Sequence, residues 1–261
     1  MLHVNYLDLF WTAITLLGDY RLYTILIPII YIAYNRRLGF KLMATYMFSM
    51  YINQVFKYWF MLPRPSHSLW ITEGYGFPSG HSQASSTFWS CLALNTKLKI
   101  TKLIAIVLPL LIAYSRLYLQ VHYLIDVISG LLLGYGLPLT IHVLKIPKGI
   151  AEVGIHIVYI GCSLLMVSTS TIIPGGYGYI PIVSGSFLGA YVGYRFSERL
   201  KANIIRLTSR VIVVILVLTV SIIGYTTAAM LIRELLISYI VSIVFTAIVF
   251  LMPYLYLKLN L

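Results

Sequence analysis

The chain has 261 residues, 60% of them hydrophobic and only 10% charged, with a mean hydropathy of +0.89. Soluble domains carry about a quarter charged residues, so a soluble fold is excluded and a membrane protein is read instead. The formal net charge of +12 would suggest nucleic acid in a soluble chain, but the basic residues cluster in short connections between apolar runs. That is a topology signal, and no nucleic-acid partner is expected.

The first residues lack the basic start and small-residue cleavage site of a signal peptide, so insertion is expected to rely on internal spans. The segment from about Asn5 to Leu17, with Asp8 within it and Asp19 beyond, is too short to cross a bilayer. It is predicted to be an interfacial helix with Leu7, Phe10, Trp11 and Ile14 toward lipid; a buried amphipathic arm is the alternative. Roughly nine apolar runs follow, at about 20–35, 42–60, 82–95, 103–119, 123–142, 150–171, 180–194, 211–229 and 236–256, each predicted to be a transmembrane helix.

Basic residues at 36–41, 97–102, 145–148, 195–210 and Lys258 make up fourteen of the nineteen Lys and Arg. They occupy alternate connections, so the positive-inside rule places them in the cytoplasm. Arg21, Lys57, Arg64, Arg116 and Arg233 then fall on the extracytoplasmic side of a cell membrane. The longest outer connection, Met61 to Gly80, is rich in Pro, Gly and Ser and carries Trp70 and Tyr75, which marks it as a functional loop. The uncharged stretch Pro174 to Tyr179 reads as an outer turn. Gly130 and Gly134, and Gly185, Gly189 and Gly193, recur at four-residue spacing. Such faces let neighbouring helices approach closely, a homo-oligomer contact or lipid-binding groove being the alternative. Cys91 and Cys162 lie in apolar runs and form no metal pattern.

Ionisable groups at the edge of a span are costly and usually have work to do. Lys57 is followed, after six intervening residues, by Arg64, held between Pro63 and Pro65 where the chain cannot be helical. A point charge and a planar fork arriving from different directions suit a phosphate, although snorkelling and interface anchoring explain the same residues. Pro78-Ser79-Gly80-His81 opens the third span. Ser79 can cap the helix, Gly80 lets an anion approach backbone N–H groups, and His81 adds an imidazole; an ordinary capping turn is the alternative. Ser115-Arg116 precedes His122 and Asp126. If the fifth helix starts near His122, the two share a face, Asp126 accepts from one ring nitrogen, and the other nitrogen is left as an oriented nucleophile or base. No His, Cys, Asp and Glu set has metal-ligand spacing, so neither a metal nor another cofactor is expected. His67 and Glu73 lie in the outer loop without an assigned role.

Taken in this order, the motifs resemble the type 2 phosphatidic acid phosphatase superfamily of integral membrane lipid phosphatases, which shares its site with vanadium haloperoxidases. The likeness runs over about residues 5 to 143 and is complete at Lys57, Arg64, Pro65, Pro78, Ser79, Gly80, His81, Ser115, Arg116, His122 and Asp126. It implies an all-α polytopic bundle with a phosphatase core at 1–148 and a C-terminal transmembrane extension at 149–261. It departs from the family pattern of six core spans, since an interfacial helix stands in place of the first span and four spans follow the core. The resemblance further implies that His122 attacks phosphorus, Asp126 steadies it and His81 protonates the leaving group. Lys57, Arg64, Ser79, Gly80 and Arg116 would hold the phosphoryl oxygens. The implied substrate is a lipid phosphate within the membrane lipids: a polyprenyl diphosphate first, then phosphatidate, phosphatidylglycerol phosphate or a sphingoid phosphate. A lipid phosphotransferase and a non-enzymatic lipid-binding or transport protein are the competing readings.

Overall fold

Hydrocarbon offers the backbone no water to bond, so an apolar run must satisfy its own N–H and C=O groups, and the helix is the local solution. The computed structural model describes residues 5–66, 74–144, 153–172, 179–199, 207–231 and 234–259. Among these residues every regular element is helical: α1 (Tyr6–Leu16), α2 (Tyr20–Ile29, continued by a π turn at Ile30–Tyr34), α3 (Arg36–Phe60), α4 (Gly80–Asn95), α5 (Lys99–Tyr118), α6 (Leu124–Val143), α7 (Val153–Ile172), α8 (Ile180–Arg199), α9 (Leu207–Met230) and α10 (Leu235–Leu259). The fold class is the one expected. Lys99–Tyr118, Leu124–Val143 and Leu235–Leu255 are each long and apolar enough to cross a bilayer. Leu103, Ile106, Leu110 and Tyr114 leave an exposed apolar stripe along α5, as a lipid-facing helix requires. His67, Trp70 and Glu73 lie outside the described residues, as do residues 174–178 of the expected outer turn.

The N-terminal segment departs from expectation. Tyr6–Leu16 and Tyr20–Tyr34 together have the length and apolarity of one span, bent by 46°, so α1 is one limb of a broken element as well as a candidate interfacial helix. Leu7 and Phe10 are exposed as expected, but Trp11 packs its ring on Tyr114 and Tyr118 of α5, with centroids 4.8 and 5.8 Å away. Aromatic stacking against a neighbouring helix holds this side chain more tightly than lipid would.

Two compact units form. One comprises residues 1–23 and 52–145, the other 24–51 and 146–261. In the first, α4 packs on α5 and α6. The helix α4 is rich in hydroxyls, and three buried serines donate back along their own helix: Ser85 to the His81 carbonyl, Ser86 to the Ser82 carbonyl, and Ser90 to the Ser86 carbonyl. Polar side chains satisfied in this way can be buried without a partner helix supplying acceptors. Gly130 and Gly134 of α6 face this seam, where a Cβ at Gly130 would meet the Ser79 carbonyl and one at Gly134 would run into Ser86 Oγ and the Gln83 carbonyl. Pro109 within α5 has no N–H for the carbonyl of Ala105, four residues back. The Tyr135 hydroxyl of α6 donates to that carbonyl at 2.7 Å, joining the two helices at the point where the ladder is broken.

In the second unit, Gly185, Gly189 and Gly193 of α8 lie against the backbone of α10 at Tyr239, Ile243 and Ala247. An aromatic stack of Phe40 on Tyr194 and Tyr159 on Tyr191, with centroids 4.2 and 4.4 Å apart, fills its core. Ser163 donates to the Ser184 carbonyl and meets the Tyr239 hydroxyl, linking α7, α8 and α10.

Gly134→Ala is expected to destabilise the protein by about 1–3 kcal/mol through overpacking. Gly136→Ala, where a Cβ meets nothing within 4 Å, should be neutral or slightly stabilising. Thermal unfolding of both variants in one detergent checks the difference.

Candidate active site

The three motifs converge at one end of the first unit. The connection between α5 and α6 is a tight turn in which Gln120 takes a left-handed φ of 54° and Val121 N–H bonds back to the Arg116 carbonyl. This delivers His122 just ahead of α6, which begins at Leu124, near His122 as expected. The expected pairing survives because the turn supplies what a shared helical face was to have supplied. His122 Nδ1 lies 3.2 Å from Asp126 Oδ2, and the same oxygen accepts the Tyr123 N–H at 2.9 Å. Both side chains are almost fully buried.

Arg64 reaches the opposite edge of the imidazole. Its Nη1 lies 3.0 Å from His122 Nε2 and donates to the Val121 carbonyl, while Nε donates to the Gly74 carbonyl. A guanidinium only donates, so Nε2 must be the acceptor and Nδ1 must carry the proton given to Asp126. The tautomer is thereby fixed from both sides, with the lone pair on Nε2. Burial is the main cause of a lowered His122 pKa; the bond from Asp126 opposes it, and Arg64, Arg116 and Lys57 add to it. The ring is neutral at ordinary pH. Arg64 is itself lowered by burial, with Asp126 opposing, but its guanidinium stays charged.

The turn before α4 is fixed from two directions. Ser79 N–H donates to the Asp126 carbonyl at 2.8 Å. Asn53 Nδ2 donates to the Pro78 carbonyl and, at 2.9 Å, to Gln83 Oε1. Ser79 is the N-cap residue, but its hydroxyl makes no cap bond; it accepts from Ser82 Oγ instead. The expected capping role is corrected because a closer hydroxyl one turn along α4 takes its place. At Gly80 a Cβ would lie 3.6 Å from Asn53 Oδ1, an ordinary contact, so packing alone does not demand glycine there. His81 stands at the mouth of α4, partly buried. Burial lowers its pKa well below the usual value, and Arg116, His122, Arg64 and Lys57 lower it further.

Lys57 Nζ donates to the carbonyls of Tyr75 and Gly76 at 2.8 and 3.2 Å, so it fastens the far end of the outer connection as well as bringing charge to the site. Arg116 is 4% exposed; its Nη1 donates to Thr15 Oγ1 at 2.7 Å, and its Nε has no partner. Among the described residues no three His, Cys, Asp or Glu side chains gather where they could hold a metal ion. Asn53, Gln83 and Thr15 were not singled out from the sequence. An Asn in an apolar helix four residues before Lys57 was the one available signal.

Three cations and two imidazoles around a single buried carboxylate make a site that attracts an anion and offers it a nucleophilic nitrogen. Residues 38–146 match the model of the PAP2 superfamily. Over that segment the chain is similar to the PAP2 superfamily. It is 33% identical over 93 residues to phosphatidylglycerophosphatase B of Bacillus subtilis, covering 32% of this chain and 46% of that protein. It is 32% identical over 107 residues to undecaprenyl-diphosphatase of Sulfolobus acidocaldarius, covering 38% and 52%. The chain thus spans about half the length of the curated relatives it matches. The crystal structure of a transmembrane PAP2 type phosphatidylglycerolphosphate phosphatase from Bacillus subtilis superposes with a TM-score of 0.49 at 27% identity, over 56% of this chain and 81% of that one.

Two NMR observations are expected of His122. Its ring should hold the Nδ1–H tautomer and should not titrate between about pH 5 and 8. Because its folded pKa lies below the unfolded value of about 6.5, the unfolded chain binds more protons; stability should therefore fall as pH drops below about 6.5. Nitrogen-15 shifts of labelled histidine, compared with His122→Gln, check the assignment.

Proposed function

We propose that the protein is a membrane-embedded lipid phosphate phosphatase working through a phosphohistidine, without a metal. The observation that carries this reading is the oriented lone pair of His122 Nε2 between Asp126 and Arg64. Nε2 attacks phosphorus, and the bond from phosphorus to the leaving lipid oxygen breaks. Asp126 holds the Nδ1 proton and stabilises the cationic ring as the bond forms. His81 gives a proton to the leaving alkoxide or lipid monophosphate, and then takes one from the water that cleaves the phosphorus–nitrogen bond. Lys57, Arg64, Arg116, Ser79 and the Gly80 amide neutralise the three equatorial oxygens, the service a metal ion gives elsewhere.

Two features of the site bear on the order of events. Arg64 donates to the lone pair that must attack, so attack requires that it transfer to a phosphoryl oxygen, a stronger acceptor than a neutral imidazole. His81 is held low by its cationic neighbours, and a phosphate dianion between them supplies the opposite charge that raises it into the protonated form. Substrate therefore prepares both its nucleophile and its acid.

A polyprenyl diphosphate, hydrolysed to the monophosphate, is the substrate placed first. The undecaprenyl-diphosphatase relative supports it, and the phosphatidylglycerophosphatase relative makes phosphatidylglycerol phosphate the second reading. Residues 1–148 carry every group the chemistry uses. The purified protein should release phosphate from at least one member of a panel of polyprenyl diphosphate, phosphatidate, phosphatidylglycerol phosphate and sphingoid phosphate, in excess EDTA and with inhibition by orthovanadate. His122→Ala should release none and trap no phosphoenzyme. An acid-labile phosphoenzyme from His122→Ala would reassign the nucleophile, and dependence on Mg²⁺ would end the metal-free mechanism.

The site is further proposed to open on the extracytoplasmic face of the cell membrane, because the basic connections then lie in the cytoplasm. Single cysteines at exposed Ser66 and Leu98, in a Cys91→Ser, Cys162→Ser background, test this with an impermeant thiol reagent on intact cells. Ser66→Cys should label and Leu98→Cys should not; the reverse pattern would invert the orientation.

A further inference from the structure

The N-terminal arm lies ahead of the family-matched residues 38–146, yet it reaches the site. Tyr118 donates to Asp8 Oδ1 at 2.8 Å, and Trp11 stacks on Tyr114 and Tyr118. The Tyr23 hydroxyl donates to the Leu17 carbonyl at 2.7 Å, fixing the bend that follows α1. At that bend Gly18 comes so near α4 and α5 that a Cβ would lie 2.5 Å from Ile112 Cγ2 and 3.2 Å from His81 Cβ and Cδ2. The arm is therefore a wall against His81 as well as a cover for α5.

The arm makes a polar contact with a motif residue through Thr15. This threonine is 1% exposed, and its hydroxyl accepts from Arg116 Nη1 at 2.7 Å. A guanidinium at the end of a flexible side chain loses much rotamer freedom when ordered, and a buried acceptor on one nitrogen restricts where the rest of the fork lies. Arg116 Nε is left buried without a protein partner, a donor with bonding capacity for an oxyanion.

We propose that Thr15 is a positioning residue of the active site, its hydroxyl holding the Arg116 fork so that the remaining donors meet a phosphoryl oxygen. The proposal rests on the phosphatase reading in so far as Arg116 meets the phosphoryl group. The arm then completes the site from outside the segment that carries the family's motifs. Thr15→Val keeps the shape of the side chain and removes the acceptor, whereas Thr15→Ser keeps the oxygen.

Full-length wild type, Thr15→Val, Thr15→Ser, Arg116→Ala and the Thr15→Val, Arg116→Ala double variant should be compared for kcat/KM of phosphate release, orthovanadate binding by calorimetry, and thermal unfolding. Thr15→Val is expected to lose roughly ten- to hundredfold in kcat/KM, the range for a lost bond to a charged group, and to bind orthovanadate correspondingly less tightly. Thr15→Ser should stay near wild type. In the Arg116→Ala background Thr15→Val should add little, because the group through which it acts is gone. Should Thr15→Val fail to fold, Thr15→Ala removes the same oxygen without added volume. Unchanged kcat/KM and orthovanadate affinity, or an undiminished loss in the Arg116→Ala background, would overturn the proposal. Silence of the wild type toward every lipid phosphate would instead sink the phosphatase reading, while orthovanadate affinity would still report on Thr15.

Discussion

Asp126 is the group on which the rest of the first unit depends. A carboxylate 1% exposed in an apolar helix, left alone, would carry a desolvation penalty of several kcal/mol. One of its oxygens accepts from His122 Nδ1 and Tyr123 N–H, and its backbone carbonyl accepts from Ser79 N–H. Three segments distant in sequence or separated by a turn are thereby brought to one residue. The start of α6, the imidazole before it and the start of α4 can be placed together only if that negative charge stays where it is. A carboxylate at this place lets several cations gather within reach of each other.

The cations hold backbone as well as charge. Lys57 binds two carbonyls near the end of the outer connection, and Arg64 binds those of Gly74 and Val121. In a low-dielectric setting an unpaired ammonium or guanidinium is costly, and backbone carbonyls are the acceptors a loop can always provide. Residues 74–76 of the loop are held by groups proposed to bind phosphate, so their placement and the readiness of the site are linked. Such an arrangement favours an anion that can take over bonds already oriented rather than create them.

The membrane sets the remaining constraints. The hydroxyl-rich α4 is acceptable at the centre of a helical packing because its serines bond within their own helix, and α6 can come close because glycine stands opposite that seam. The break caused by Pro109 is repaired by a phenol from the next helix. In the second unit, glycines on α8 and stacked aromatics do for packing what the serine seam does in the first.

The apolar runs by themselves pointed to a helical membrane protein, since runs mostly near the length of a spanning helix, without the alternation of a barrel strand, satisfy their backbone in hydrocarbon as helices. The motif residues were legible because polar groups at the ends of apolar helices stand out, and the spacing of His122 and Asp126 already pointed to their contact. Only the tertiary structure decided that His122 sits on a turn ahead of α6, that the Ser79 hydroxyl accepts from the Ser82 hydroxyl and not from a backbone N–H of the α4 start, and that Arg64 sets the tautomer of His122 from the far side. It also decided the part played by Thr15, Asn53 and Gln83. These are ordinary polar residues whose partners lie 101 positions away for Thr15 and 30 for the Asn53–Gln83 pair. Helical periodicity reports which face of a segment is buried but not what that face meets, and the hydrogen bonds that complete a buried site are set by what it meets.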